Sequence, residues 1–244
     1  MEGLNGSADL PPVIAPPSGL EPSPPFLPPA GRAGPRNPWL SIWVRPRATM
    51  RQILDGDPRR RVVLLMLLSG ACDALRSRSP EMAEELPLSV LVAVKIAGGA
   101  LAGLVVLYLG GFLLRVTGRW LEGRGDGVAL RAALAWSNVT SIGAFLLWLP
   151  LLAVFGGGAF TLDPADLQGD LPALAFVMLI GFLLAAAGGW GFIVCLKCVA
   201  EAHRFSAWRA LGAVILSVLL ALAPLAVPVL LAVGTGLDLY GVAS

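Results

Sequence analysis

Five apolar stretches occupy residues 62–234, and arginines crowd every second gap between them. A chain patterned this way is confined to a bundle of membrane-crossing helices, since only helices and closed barrels satisfy their backbone within lipid. Four stretches, 88–114, 130–155, 172–196 and 210–234, meet the roughly 20 residues needed to cross a core of about 30 Å. The first, 62–75, is short and carries Asp73. Charge decides its role. Arg45, Arg47, Arg51, Arg59, Arg60 and Arg61 precede it. Arg115, Arg119, Arg124 and Arg131 follow the second stretch, and Lys197, Arg204 and Arg209 follow the fourth. Residues 156–171 and 235–244 hold no lysine or arginine. If all five stretches span, each arginine-rich segment is cytoplasmic, as the positive-inside rule requires.

The sequence therefore predicts an all-α membrane protein, a five-transmembrane-helix bundle over 62–234 with spans near 62–78, 88–114, 130–155, 172–196 and 210–234. The N-terminus is inside and the C-terminus outside. Extension of the first helix toward residue 82, with Arg76 and Arg78 snorkelling outward, or local thinning of the bilayer, covers its shortfall. Composition agrees: 56% of residues are hydrophobic and 14% charged, against about 25% charged in soluble domains. A net charge of +2 gives no reason to expect nucleic acid. Three cysteines make no disulfide framework.

Twelve of the 20 prolines precede residue 47. Residues 1–36 show no cleavable signal and too little apolar surface to offset chain entropy, so a disordered Pro-rich cytoplasmic tail is expected there. Residues 235–244 form a short outer tail. Between tail and bundle, 37–61 reads as an interfacial amphipathic segment. Trp39 and Trp43 suit the headgroup zone. Met50, Ile53 and Leu54 share a helical face, while Arg47 and Arg51 project from it. With Arg45 these are the candidate residues for contact with anionic lipid or a partner.

Three segments together resemble bacterial proteins of the Yip family, the Ypt/Rab-interacting membrane proteins. They are NPWLSIWVRPRATMRQILDGDPRRR (37–61) before a short first span, GRGDGVALRAALAWSNVTSI (123–142), and GWGFIVCLKCVAEAHRFSAWRAL (189–211). The similarity covers about 37–234. It implies a five-helix domain with a cytoplasmic N-terminus; eukaryotic members are tied to small-GTPase recruitment and to vesicle formation or membrane shaping. Their Asp-Leu-Tyr-Gly-Pro type motif is missing at the expected place. Asp238-Leu239-Tyr240-Gly241 lies beyond the last span, on the outer side, so no GTPase partner is carried over.

Few residues point to chemistry. Asp73, Lys95 and Asn138 are intramembrane polar candidates, since charges inside a bilayer are costly. Asp73 and Lys95 both fall in the outer half of antiparallel spans, where they can pair. Asn138 belongs to a polar stripe with Trp136, Ser137, Thr140 and Ser141 that should face the bundle. Cys195 and Cys198 stand one helical turn apart, and with His203 they form the weak alternative of a metal site; small apolar packing residues explain them as well. The glycines of GRWLEGRGDG (118–127) lack the flanks of a phosphate-binding loop. No catalytic arrangement is present, so neither an enzyme nor a cofactor is expected. The predicted function is a non-enzymatic membrane protein that organises membrane or recruits other membrane proteins at its cytoplasmic face. The alternative is a small permease or channel built on Asp73, Lys95 and Asn138. The excess of arginine over lysine fits a bacterial cytoplasmic membrane.

Overall fold

The computed structural model describes residues 37–234, with side-chain environments up to residue 224. The predicted tails, 1–36 and 235–244, lie outside the described residues. Every regular element among the described residues is a helix. Two short ones, α1 (Pro38–Val44) and α2 (Pro46–Asp55), each begin on a proline. Proline suits a first turn because its φ is preset and its missing N–H would find no partner there. Next come α3 (Val62–Arg76) and the short α4 (Pro80–Glu85). α5 (Leu88–Val105), a π turn (Val106–Gly110) and α6 (Gly111–Trp120) form one continuous helix. α7 (Gly127–Ser137) and α8 (Val139–Phe155) run on one another into a 3-10 turn ending at Phe160. α9 (Leu171–His203) and α10 (Ala207–Gly234) complete the bundle.

Four helices are long and apolar enough to cross a membrane: Leu88–Trp120, Gly127–Phe160, Leu171–His203 and the helix that begins at Ala207. The 15-residue α3 falls short of that length. Its predicted extension toward residue 82 stops early, because Ser77 turns to an extended conformation (φ −70°, ψ 140°). The Ser77 hydroxyl donates to the Ala74 carbonyl at 2.6 Å, and such side-chain bonds compete with helix continuation. Helix starts are written in the sequence. The carboxylates of Asp126 and Asp170 accept the N–H groups of Ala129 (2.7 Å) and Ala173 (3.1 Å), as N-caps do.

α3 lies antiparallel to α5, backbone against backbone. A Cβ on Gly70 would sit 2.1 Å from the Gly99 carbonyl oxygen. One on Gly99 would sit 2.3 Å from the Gly70 oxygen, and one on Gly103 2.1 Å from the Met66 oxygen. Membrane helices without bulky side chains at their crossing gain dispersion contacts along the whole seam. Gly98, next in sequence to Gly99, meets open space. Two apolar cores result. One joins Ile42, Met50, Leu65, Leu130, Val194 and Cys198 at the arginine-bearing end. The other joins Leu91, Trp148, Phe160, Val177 and Ile180 at the opposite end. There the connections are held by Arg78, whose Nη1 donates to Asp163 at 3.0 Å. The Ala165 N–H and Arg78 keep the Asp163 carboxyl below the usual carboxylate range.

Adjacent glycines provide a controlled test of the α3–α5 seam. Gly99→Ala should lower stability by about 1–3 kcal/mol, the usual cost of forcing atoms into a filled space, whereas Gly98→Ala should leave it unchanged or raised. Thermal or denaturant unfolding of the two variants in detergent checks this, and equal effects would contradict the seam.

Candidate functional site

The early stop of α3 leaves the Ser77 carbonyl beyond the helix and the Ala74 carbonyl with the Ser77 N–H and hydroxyl as its local donors. Lys95 of α5 reaches both carbonyls. Its buried ammonium donates to the carbonyls of Ala74 (2.9 Å) and Ser77 (2.7 Å) and to the Ser77 hydroxyl (3.1 Å). A cation at a helix C-terminus also meets the negative end of the helix dipole. The Phe160 ring centroid lies 5.3 Å from the same nitrogen. Lys95 therefore caps a helix and does not pair with Asp73.

Asp73 finds other partners. It takes an ion pair from Arg76 one turn on and a short hydrogen bond from the Ser141 hydroxyl of α8, and Arg76 also donates to Ser141 at 3.2 Å. Arg76 thus turns into the bundle where the sequence expects it to snorkel outward. Beside it is a cavity of about 250 Å³, lined among others by Ser137, Asn138, Thr140, Gly188 and Cys195. Most donors here are spent on backbone: Ser137 on the Leu134 carbonyl (2.9 Å), the Asn138 amide on the same oxygen (2.8 Å), and Thr140 on Ser137 (2.7 Å). Asn138 sits at the joint of α7 and α8. The buried Arg76 Nε has no partner among the described residues. The predicted polar stripe does face the bundle, and it brings Asn138 to Arg76 and Ser141, with Lys95 apart from them.

The second group of candidates lies at the arginine-bearing end. The Trp39 ring stands edge-on to Trp136, with centroids 5.8 Å apart. Trp43 fills the space over Gly143, where a Cβ would come within 2.4 Å of the ring, and its carbonyl accepts the Trp190 Nε1–H at 3.0 Å. Ile42 and Met50 are fully buried. Both tryptophans, each half-buried, and the apolar face of α2 thus meet protein. The exposed apolar residues of α1 are Leu40 and Val44, 71% and 78% exposed. Their spacing of four was the available signal. Arg45, Arg47 and Arg51 remain exposed. Arg51 Nε bonds Glu201 of α9 at 2.8 Å, and that hydrogen bond raises its pKa further. Arg47, Arg51 and Arg204, with Glu201 and Asp55, line an open cleft of about 470 Å³.

His203, at the end of α9, explains the glycine-rich loop. The Gly125 N–H donates to Nδ1 at 3.1 Å, so Nδ1 is the acceptor and Nε2 carries the proton toward the Leu114 carbonyl, 3.1 Å away. A Cβ on Gly118, Gly123 or Gly125 would lie 2.2, 2.4 or 2.8 Å from that ring. The glycines make room for an imidazole. Both its nitrogens are engaged by backbone, Cys195 and Cys198 are free thiols, and no three His, Cys, Asp or Glu side chains among the described residues are grouped to hold a metal.

A family model described as the Yip1 domain matches residues 40–227. Compared with curated proteins and with solved structures, the chain has no match.

Lys95→Met should destabilise the fold by about 1–3 kcal/mol, the cost of unpaired buried acceptors. Combined with Asp73→Asn in a double-mutant unfolding cycle, it should show no coupling beyond about 0.5 kcal/mol. A larger coupling would mean that Lys95 and Asp73 act as a pair.

Proposed function

The chain belongs to the Yip1 domain family, and we propose that it is a five-span membrane protein of the Yip type that organises membrane or recruits partners at its cytoplasmic face, without catalysing a reaction. The observation that carries this is the docking of α1 and α2. Ile42, Trp43 and Met50 fasten the segment into the core of the bundle. Arg45, Arg47 and Arg51 are thereby held exposed on a preformed surface, with Arg204 beside the last two. Such a surface suits the anionic lipid of a cytoplasmic leaflet, where each arginine contributes about 1 kcal/mol.

Charge placement favours α3 as the fifth span. Its 15 residues rise about 22 Å at 1.5 Å each. That is short of a core of about 30 Å, so as a span α3 calls for local thinning of the bilayer around it. Five spans gather the arginine-rich segments on one side, which we assign to the cytoplasm of a bacterial cell. A second reading, a small-solute permease, draws support from the Arg76 cavity, a polar waist between two apolar cores.

Reconstitution in vesicles of anionic lipid separates the two. The wild-type protein should cluster or tubulate vesicles without passing solute, and the triple variant Arg45→Gln, Arg47→Gln, Arg51→Gln should lose this while keeping its helix content by circular dichroism. Unchanged remodelling by the variant would sink the platform proposal. Selective flux through unshaped vesicles would favour the permease.

A further inference from the structure

On another flank of the arginine-bearing end, α3, the π turn and α7 enclose a recess of about 210 Å³. Arg59, Arg131 and Tyr108 line it together with Val62, Val63 and Leu107, and no carboxylate is among its lining residues. That sets it apart from the Arg47–Arg204 cleft, where Glu201 and Asp55 offset most of the positive charge. Among the described residues neither Arg59 nor Arg131 enters an ion pair. The Arg131 guanidinium lies 5.8 Å from the Tyr108 ring centroid. Its aliphatic stem rests on Gly111, where a Cβ would come within 2.9 Å of Cγ. The Asp57 carboxylate accepts the Arg59 N–H at 3.0 Å and steadies the loop that presents this side chain.

The π turn at Val106–Gly110 contributes to the same place. An i→i+5 turn widens the helix and shifts the direction of the side chains beside it, and such turns recur at functional positions. Here Leu107 is fully buried while Tyr108 is 55% exposed at the mouth. Val63, 44% exposed, and Val128 complete the apolar wall. The recess is thus amphipathic: two unpaired guanidinium groups and a phenol hydroxyl at one part, valine and leucine at the other.

We propose that this recess binds the phosphate of an anionic phospholipid, with Arg59 and Arg131 as the donors to its oxygens and Tyr108 as a further donor. Guanidinium groups bind a phosphate oxyanion through paired N–H donors. The apolar walls suit the glycerol and first acyl carbons, which a free phosphate lacks. Two uncompensated positive charges favour a headgroup of net negative charge over a zwitterion. The proposal rests on the arginine-bearing end lying at a leaflet surface, and it does not require that the protein shape vesicles.

The test counts lipid on the full chain. Protein purified in detergent is equilibrated with equal phosphatidylglycerol and phosphatidylcholine, and lipid retained is read by native mass spectrometry. One phosphatidylglycerol per chain should be retained in preference to phosphatidylcholine. Arg59→Gln, on an exposed loop, and Arg131→Gln should each cut that retention about tenfold, the order expected for a lost charged hydrogen bond. Tyr108→Phe should cut it less, and Arg78→Gln, at the far end, should leave it unchanged. Retention unaffected by both arginine variants overturns the site, and where Arg131→Gln does not fold, Arg59→Gln decides alone. A parallel titration with inorganic phosphate distinguishes the source: binding of phosphate with no lipid preference overturns the lipid assignment. Vesicle remodelling is not part of this readout, so the platform reading and this one can fail separately.

Discussion

A helix that stops short leaves carbonyl groups without the donors of a further turn, and the pairing of α3 with α5 answers that need. The Lys95 ammonium reaches from α5 to the carbonyls of Ala74 and Ser77, which it can do only because α3 and α5 lie very close. That closeness comes from Gly70, Gly99 and Gly103, whose missing side chains let two backbones touch. Cap and seam depend on each other. A wider seam would carry Lys95 out of reach, and an uncapped helix end would favour a longer α3 in which Ser77 could not turn away.

The rest of the bundle divides around this pair. One apolar core lies toward the arginines and the other toward the opposite connections. Between them Arg76, Asp73 and Ser141 bond to one another beside a small polar cavity. Charges in such a place cost free energy unless they are paired and hydrogen-bonded. Asp73 and Arg76 are paired within a single turn of α3, which needs no partner helix to be in register.

Much of this was legible in the sequence. The long helices followed from apolar length, and the gathering of the arginines followed from their alternation. The polar stripe from Ser137 to Ser141 was expected to face inward, and it does. Partner identity was not legible. Nothing in a linear pattern says that Gly70, unremarked among apolar neighbours, opposes Gly99, or that Lys95 reaches carbonyls rather than a carboxylate. Trp39 and Trp43 carried a strong statistical pull toward headgroups. Their half-buried rings also meet Trp136 and Gly143, contacts that a linear pattern does not name. Arg59 was visible as charge, but its convergence with Tyr108 and Arg131 beside the π turn leaves no periodic trace.

The imidazole of His203 occupies space that three glycines vacate, and it consumes the N–H of one of them. Three neighbouring glycines and one distant histidine are therefore coupled by packing. A descendant chain that lost the histidine first would hold an empty pocket until methyl groups appeared at 118, 123 or 125. One that gained those methyls first would find the histidine without room. The glycines are thus constrained while the ring is present, and the loop joining α6 to α7 is fitted to the end of α9.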